Sequence, residues 1–395
     1  MKFLQNGTMP KVNPQILVWA RETAGLSREE AAKKLSMSGP DRIRALEAGE
    51  RDPSRRQLTN MSEKYRRPLL TFYLPNPPKS RDRGQDFRTL PDEPEVGSEA
   101  LINALLRDVY ARQGLVRAAL EEAEEDEALA FVGSASMEDG VETLVKSLRE
   151  LLDFTSDDFR QEKTVNGAFA ALRAAAEKAG VFVLLMGNLG TFHTDIDAKN
   201  FRGFALADDV APFIVINEKD SRAAWSFTLL HELAHISLGQ TGISGQEGTV
   251  EIERFCDSVA AHFLLRPEEL VEIGAQNNAD LDELKHQIGD FSNKRNLSRK
   301  MVAYNLLRSD IIERRTYNAL SAIFDDERIA QKIEDEKPKG APDYYVVRRH
   351  RVGLGLLTVV RRLVAGGALT TTKAGRVLGV KPTAVNRIFD GSRAA

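Results

Sequence analysis

The sequence predicts a mainly α fold with a small β-sheet, α+β in class, and three observations carry that expectation. Apolar residues recur at helical spacing over most of the 395 residues. Short runs rich in Val, Ile, Leu and Phe that read as strands fall within residues 181–217. Prolines after residue 74 and a mixed-charge stretch after residue 320 interrupt the helical pattern, so two to three domains are expected.

Composition narrows the class further. The chain is 42% hydrophobic and 29% charged, as in ordinary soluble domains. A single cysteine, Cys256, excludes a disulfide within these residues and points to a reducing compartment. No apolar run approaches the length of a membrane span, and the first residues lack the apolar core of a signal peptide. The expected location is cytoplasmic, with no membrane partner. The net charge of −3 hides a segregation: residues 1–74 carry 14 Lys+Arg against 8 Asp+Glu, and residues 346–395 carry 10 against 1, so the body between them is strongly acidic. Basic ends of this kind suit contact with a polyanion.

Taken in order, residues 13–26 read as a helix ended by Gly25. Ser27 and Glu30 have capping-box spacing and start a second, short helix. A third begins at Pro40 and stops at Ala48-Gly49. Two short helices at a tight turn are the helix-turn-helix layout, in which the second helix enters a DNA groove, and the exposed candidates for DNA contact are Arg28, Arg42 and Arg44. Residues 12–70 resemble the XRE (Cro/C1-type) helix-turn-helix family. Arg28 stands where that family usually has Gln, and Asp41 beside Arg42 is an acid on the reading helix. The expected boundaries are a helix-turn-helix domain over 1–74 and a proline-rich linker over 75–98, which includes Asp86–Pro91.

A long helix from residue 99 closes in the acidic run 121–127, and helices near 139–152 and 165–179 follow. Residues 181–185, 201–206 and 212–217 read as strands, the last two joined as a hairpin at Asp208-Asp209. Directly after them lies Phe227-Thr228-Leu229-Leu230-His231-Glu232-Leu233-Ala234-His235, which contains His-Glu-x-x-His. On a helix, His231 and His235 share a face and can hold one zinc ion, while Glu232 sits beside it as a candidate general base. A sheet edge next to such a helix can pair with an extended peptide.

Residues 250–266 read as a helix that offers a third ligand. Glu253 and Asp257 are one turn apart beside the apolar stripe of Ile252, Cys256, Val259 and Phe263. Glu253 would complete a His₂Glu zinc site, and Asp257 could accept the free ring N–H of a ligand histidine. Glu251 and His262 are competing candidates on other faces of the helix, with Glu253 preferred.

These motifs together resemble the ImmA/IrrE family of metallopeptidases: Phe201-Arg202-Gly203-Phe204, Ile214-Val215-Ile216-Asn217, the His231 helix, and Glu253-x-x-Cys256-Asp257-x-x-Ala260-Ala261-x-x-Leu264-Leu265-x-Pro267. Val259 stands where Phe is frequent in the family. The resemblance spans most of residues 12–320 and implies a minimal gluzincin-like zinc peptidase over 99–320, with His231, His235 and Glu253 as ligands and Glu232 as base. It implies a protein substrate, a repressor or antitoxin, whose cleavage relieves repression of stress-response or mobile-element genes. The helical part 280–320, with Ser298 as N-cap, is similar to a helix-turn-helix region of the family, and Tyr304 is a candidate oxyanion stabiliser that its spacing does not place.

Residues 321–345 are expected as a linker and 346–395 as a basic C-terminal domain. Within the latter, Thr370 or Thr371 caps a helix, Gly379 turns the chain, and a second helix exposes Thr383, Asn386 and Arg387, a further helix-turn-helix pattern with candidate contacts to double-stranded DNA. A basic three-helix dimerisation cap is the alternative, and a homodimer is compatible with either. The functional expectation is a zinc endopeptidase fused to DNA-binding helix-turn-helix modules. The alternative is a transcriptional regulator whose peptidase-like domain senses a signal or is catalytically silent.

Overall fold

The computed structural model describes residues 11–78, 98–191, 194–240, 249–275, 280–335 and 343–390, and it is mainly helical with one three-stranded sheet among them. Residues 79–97, most of the first expected linker with all of Asp86–Pro91, and residues 336–342 of the second lie outside the described residues. No described helix is long and apolar enough to cross a membrane. The described residues divide into two compact units: one holds those within 11–78, 98–108 and 188–196, and the other holds the rest of them.

In the first unit, local sequence signals set the helix ends. Helix α1 (Pro14–Glu22) has Pro14 in its first turn, and the Asn13 side chain accepts from the Gln15 N–H at 3.0 Å. Helix α2 (Arg28–Lys34) opens on the expected capping box: Ser27 Oγ accepts from Glu30 N–H at 3.1 Å, and the Glu30 carboxylate accepts from Ser27 N–H at 2.8 Å. Helix α3 (Pro40–Glu47) begins at its proline. Helix α4 (Arg55–Lys64), which the apolar periodicity does not announce, has a second capping box in Ser54 and Gln57. Ile16, Ala31, Ile43, Leu58, Met61, Tyr65 and Phe72 form one buried core. Glu47, at the end of α3, ties the bundle together by accepting from Arg21 Nε at 2.5 Å and Arg28 Nε at 2.9 Å.

Helix α5 (Ser98–Glu122) carries Gln113, whose amide donates to Leu206 O and Ala211 O at 3.0 and 2.9 Å. It is followed by α6 (Val141–Leu152), α7 (Ser156–Gln161) and α8 (Val165–Lys178). The sheet consists of β1 (Phe182–Leu185), β2 (Gly203–Leu206) and β3 (Phe213–Ile216), in the order β1-β3-β2. β3 pairs parallel with β1 and antiparallel with β2, with Gly203 opposite Ile216, so β2 is an edge strand and the expected hairpin is present. Helix α9 (Arg222–Ser237) packs against β2, β3, α8 and α10 (Thr249–Leu264). Every residue from Thr228 to Ser237 is buried. Leu229, Leu230, Leu233 and Ile236 are fully buried, each contributing about 1.5–3 kcal/mol.

Three further helices, α11 (Leu281–Lys294), α12 (Arg299–Arg308) and α13 (Arg314–Asp335), close the same core. Helix α13 occupies most of the stretch expected as a linker from 321. Leu320 and Phe324 are buried, and Arg299 and Lys285 pair with Glu327 at 2.5 and 2.8 Å, which explains why a charge-rich segment is helical.

The chain ends in α14 (Tyr344–Val352), α15 (Leu354–Ala365), α16 (Thr371–Leu378) and α17 (Val385–Asp390). Residues 346–390, where the basic C-terminal domain is expected, lie in the second compact unit, packed on α8 and β1. The reason is a buried ion pair with its partners in this segment. Arg173 Nε donates to Glu177 Oε1 at 3.0 Å, and Arg173 also donates to Val183 O and, at 2.6 Å, to His350 O. Glu177 in turn accepts from Gly355 N–H at 2.8 Å. Gly353, at φ +86°, sits so close to both side chains that any Cβ would overlap them.

Candidate metal centre

Helix α9 brings the two motif histidines together because they are four residues apart and its interior contains neither Gly nor Pro. Its C-terminal end is held by backbone hydrogen bonds from a neighbouring loop. Gly133 and Ala135 N–H donate to Ile236 O and Ser237 O at 3.1 and 2.9 Å, and a Cβ on Gly239, at φ +68°, would come within 3.0 Å of Gly133 Cα.

The His231 and His235 Nε2 atoms are 2.9 Å apart. Glu253, from the neighbouring α10, reaches His231 Nε2 at 3.2 Å and His235 Nε2 at 3.3 Å. A tetrahedral zinc ion with bonds of about 2.0–2.1 Å separates its ligand atoms by about 3.3 Å, which is near the spacing of the two Nε2 atoms from each other and from the Glu253 carboxylate, Oε2 toward His231 and Oε1 toward His235. Both histidines are buried, at 0% and 3% exposure. Burial disfavours the charged form of Glu253, and the two imidazoles outweigh it, holding the carboxyl far below the ordinary carboxylate range.

Asp257 lies one turn beyond Glu253, its Oδ1 2.9 Å from His231 Nδ1. A proton held there leaves the Nε2 lone pair facing His235 and Glu253, where a cation relieves the repulsion between donor atoms. Removing the carboxylate with Asp257→Ala is expected to weaken zinc binding by about 10- to 100-fold, read by competition with a chromophoric chelator. Affinity within twofold of wild type would contradict this role.

The competing residues stand elsewhere. Glu251 is exposed, and His262 Nδ1 meets Glu142 Oε1 at 2.7 Å. Tyr304 is on α12 with its ring 5.8 Å from that of Tyr317. In the first unit Arg42 is exposed, Arg28 is held by Glu47, and Arg44 pairs with Asp41 at 3.3 Å. Thr383, Asn386 and Arg387 are all exposed.

Glu232 is 1% exposed and faces β2. A Cβ on Gly203 would overlap the Thr228 methyl and stand 3.1 Å from Glu232 Oε1 and 3.0 Å from Val215 O. The bare backbone at Gly203 lets α9 lie against the edge strand and leaves room for the carboxylate. Sequence reading gave Gly203 no role, although a glycine within a strand is itself a sign of close backbone approach. Asn217 also gains a function: its amide donates to Phe201 O at 3.0 Å, and its own N–H donates to Arg202 O at 2.7 Å, which holds the start of β2 in place.

Residues 187–307 match the peptidase M78 family model, described as an IrrE N-terminal-like domain, and residues 17–72 match a model described as helix-turn-helix. The chain thus joins an IrrE-like domain to an XRE-type helix-turn-helix, the architecture that the sequence resemblance implies. No curated protein and no solved structure matches the chain.

Proposed function

We propose that this protein is a zinc-dependent endopeptidase that cleaves a protein regulator, a repressor or an antitoxin, and that its N-terminal helix-turn-helix binds duplex DNA. The observation that carries the reading is the convergence of His231, His235 and Glu253, with Glu232 beside them and the β2 edge alongside. Bound zinc would supply a Lewis acid that polarises the scissile carbonyl and makes water acidic enough to be deprotonated at neutral pH.

The chain's own residues do the rest. The outer edge of β2, unpaired among the described residues, pairs with an extended substrate backbone, which brings a peptide bond across the Thr228–His235 part of the His231 helix. Glu232 accepts the proton of the attacking water and returns it to the leaving amine as the C–N bond breaks. Glu253 stays ionised as a ligand. Asp257 holds the His231 ring in one tautomer. The helix-turn-helix match supports a regulatory protein as substrate, because it would bring the peptidase to the operators where such proteins bind.

Profiling of protein termini in cells producing either the wild-type chain or Glu232→Gln tests the reading. A new terminus in a DNA-binding regulator or an antitoxin, present only with Glu232, is the expected result. Identical termini in both would leave a DNA-binding regulator with an inert peptidase fold.

A further inference from the structure

Residues 370–390 lie outside both family matches and fold as two short helices about a tight turn. Thr370 caps α16, its hydroxyl accepting from Lys373 N–H at 3.3 Å, and the helix ends at Gly379 with φ +65°. The turn requires a second glycine: a Cβ on Gly375 would lie 2.9 Å from Val380 O and 3.2 Å from Pro382 N. A 3₁₀ turn, Pro382–Ala384, leads into α17. Ala374, Val377, Leu378, Val385 and Ile388 are fully buried between the helices and beneath them.

The arginines of this region divide between two sides. On the inner side, Arg348 Nε donates to Leu378 O at 2.8 Å and Arg112 Nη1 donates to Val377 O at 3.2 Å. Arg351 pairs with Glu218 at 2.6 Å, and Arg362 pairs with Glu125. The first two contacts hold the module at the end of α16, beside its turn, and the last two hold α14 and α15. The outer side presents Lys373, Arg376, Lys381, Thr383, Asn386 and Arg387, all exposed. The large exposed apolar residues nearby, Tyr344, Val346 and Leu354, lie on α14 and at the start of α15, and the α14 ring of Tyr345 borders the outer side, 6.0 Å from the Arg387 guanidinium.

We propose that this outer face is a second duplex-DNA site, with the Pro382–Asp390 segment entering the major groove. Thr383, in the 3₁₀ turn, and Asn386 and Arg387, in the first turn of α17, are all exposed and close together in the chain. Asn and Arg side chains are the usual bidentate readers of adenine and guanine, and Lys373, Arg376 and Lys381 flank them as phosphate contacts. A dimer interface would place apolar residues at its centre and avoid lysine, which is the opposite of this surface. The proposal does not depend on the peptidase reading.

The test uses the full chain and a short labelled duplex of mixed sequence, with affinity followed against salt. Lys373→Gln/Arg376→Gln/Lys381→Gln is expected to weaken binding at least about tenfold and to flatten the salt slope by about 2 to 3. Arg42→Gln/Arg44→Gln serves as the comparison for the N-terminal module. Wild-type affinity and slope in the triple variant would overturn the proposal, as would loss of binding confined to the Arg42/Arg44 variant, or a change in oligomeric state with DNA binding intact. Selection from a randomised duplex pool tests groove reading: Asn386→Ala/Arg387→Ala is expected to lose base preference, and an unchanged selected sequence would overturn it.

Discussion

Glu232→Gln lowers turnover of the cleaved peptide by about 10²- to 10⁴-fold and leaves zinc content at the wild-type level. Glutamine keeps the shape that fits between α9 and Gly203 but cannot take a proton. His231, His235 and Glu253 are untouched, since Glu232 is not one of the three converging ligand residues. The effect is therefore expected in kcat, with KM little changed. Steady-state kinetics on a peptide spanning the site found by terminus profiling, with metal analysis of the same samples, reads both quantities. A fall of less than about tenfold would show that Glu232 is not the base.

Arg173→Met destabilises the second compact unit by about 3–5 kcal/mol, because it leaves a carboxylate in the interior without its cation. Burial already pushes Glu177 above its ordinary value, with Arg173 pulling the other way. Arg173 also satisfies the carbonyls of Val183 and His350, so its loss loosens α14 and α15 as well as α8. The double variant Arg173→Met/Glu177→Leu is expected to recover part of the loss, since no charge remains buried, although the backbone groups stay unmatched. Denaturant unfolding gives the energies, and limited proteolysis shows whether residues 344–390 release first. A single variant within about 1 kcal/mol of wild type would mean that the other contacts of the C-terminal helices hold them without this ion pair.

The parts legible in the sequence were those governed by local rules. The His-Glu-x-x-His spacing, the Ser27–Glu30 capping box and the three short strands all depend on residues within a few positions of one another, and each is where periodicity predicts. The carboxylates were harder to choose. Glu253, Glu251 and His262 compete on one helix, and their different fates follow from what packs against that helix: α9 on the Glu253 face and Glu142 of α6 against His262. Helices α4 and α7 carry capping boxes of their own, at Ser54–Gln57 and Thr155–Asp158, which a reading based on apolar periodicity passed over. The charges of α13 after residue 321 read as a solvated linker, yet its acids Asp325 and Glu327 pair with Lys285, Arg299 and Lys300 from segments close in space but distant in sequence. The docking of residues 346–390 was illegible for a similar reason: Arg173 and Glu177 sit on an earlier helix and give no sign in sequence that their partners lie some 175 residues later. Gly203 stands between these cases. Its type was visible, but the helix that presses on it could be known only from the packing.

The central claim is that three side chains from two helices hold one catalytic zinc. Metal analysis of the purified full-length chain, stripped with chelator and reloaded with zinc, tests it most directly when wild type is set beside Glu253→Ala. The account predicts one tightly held zinc per wild-type chain and weak or substoichiometric binding in the variant. A wild-type chain that retains no zinc, or a variant that retains it equally well, would contradict it.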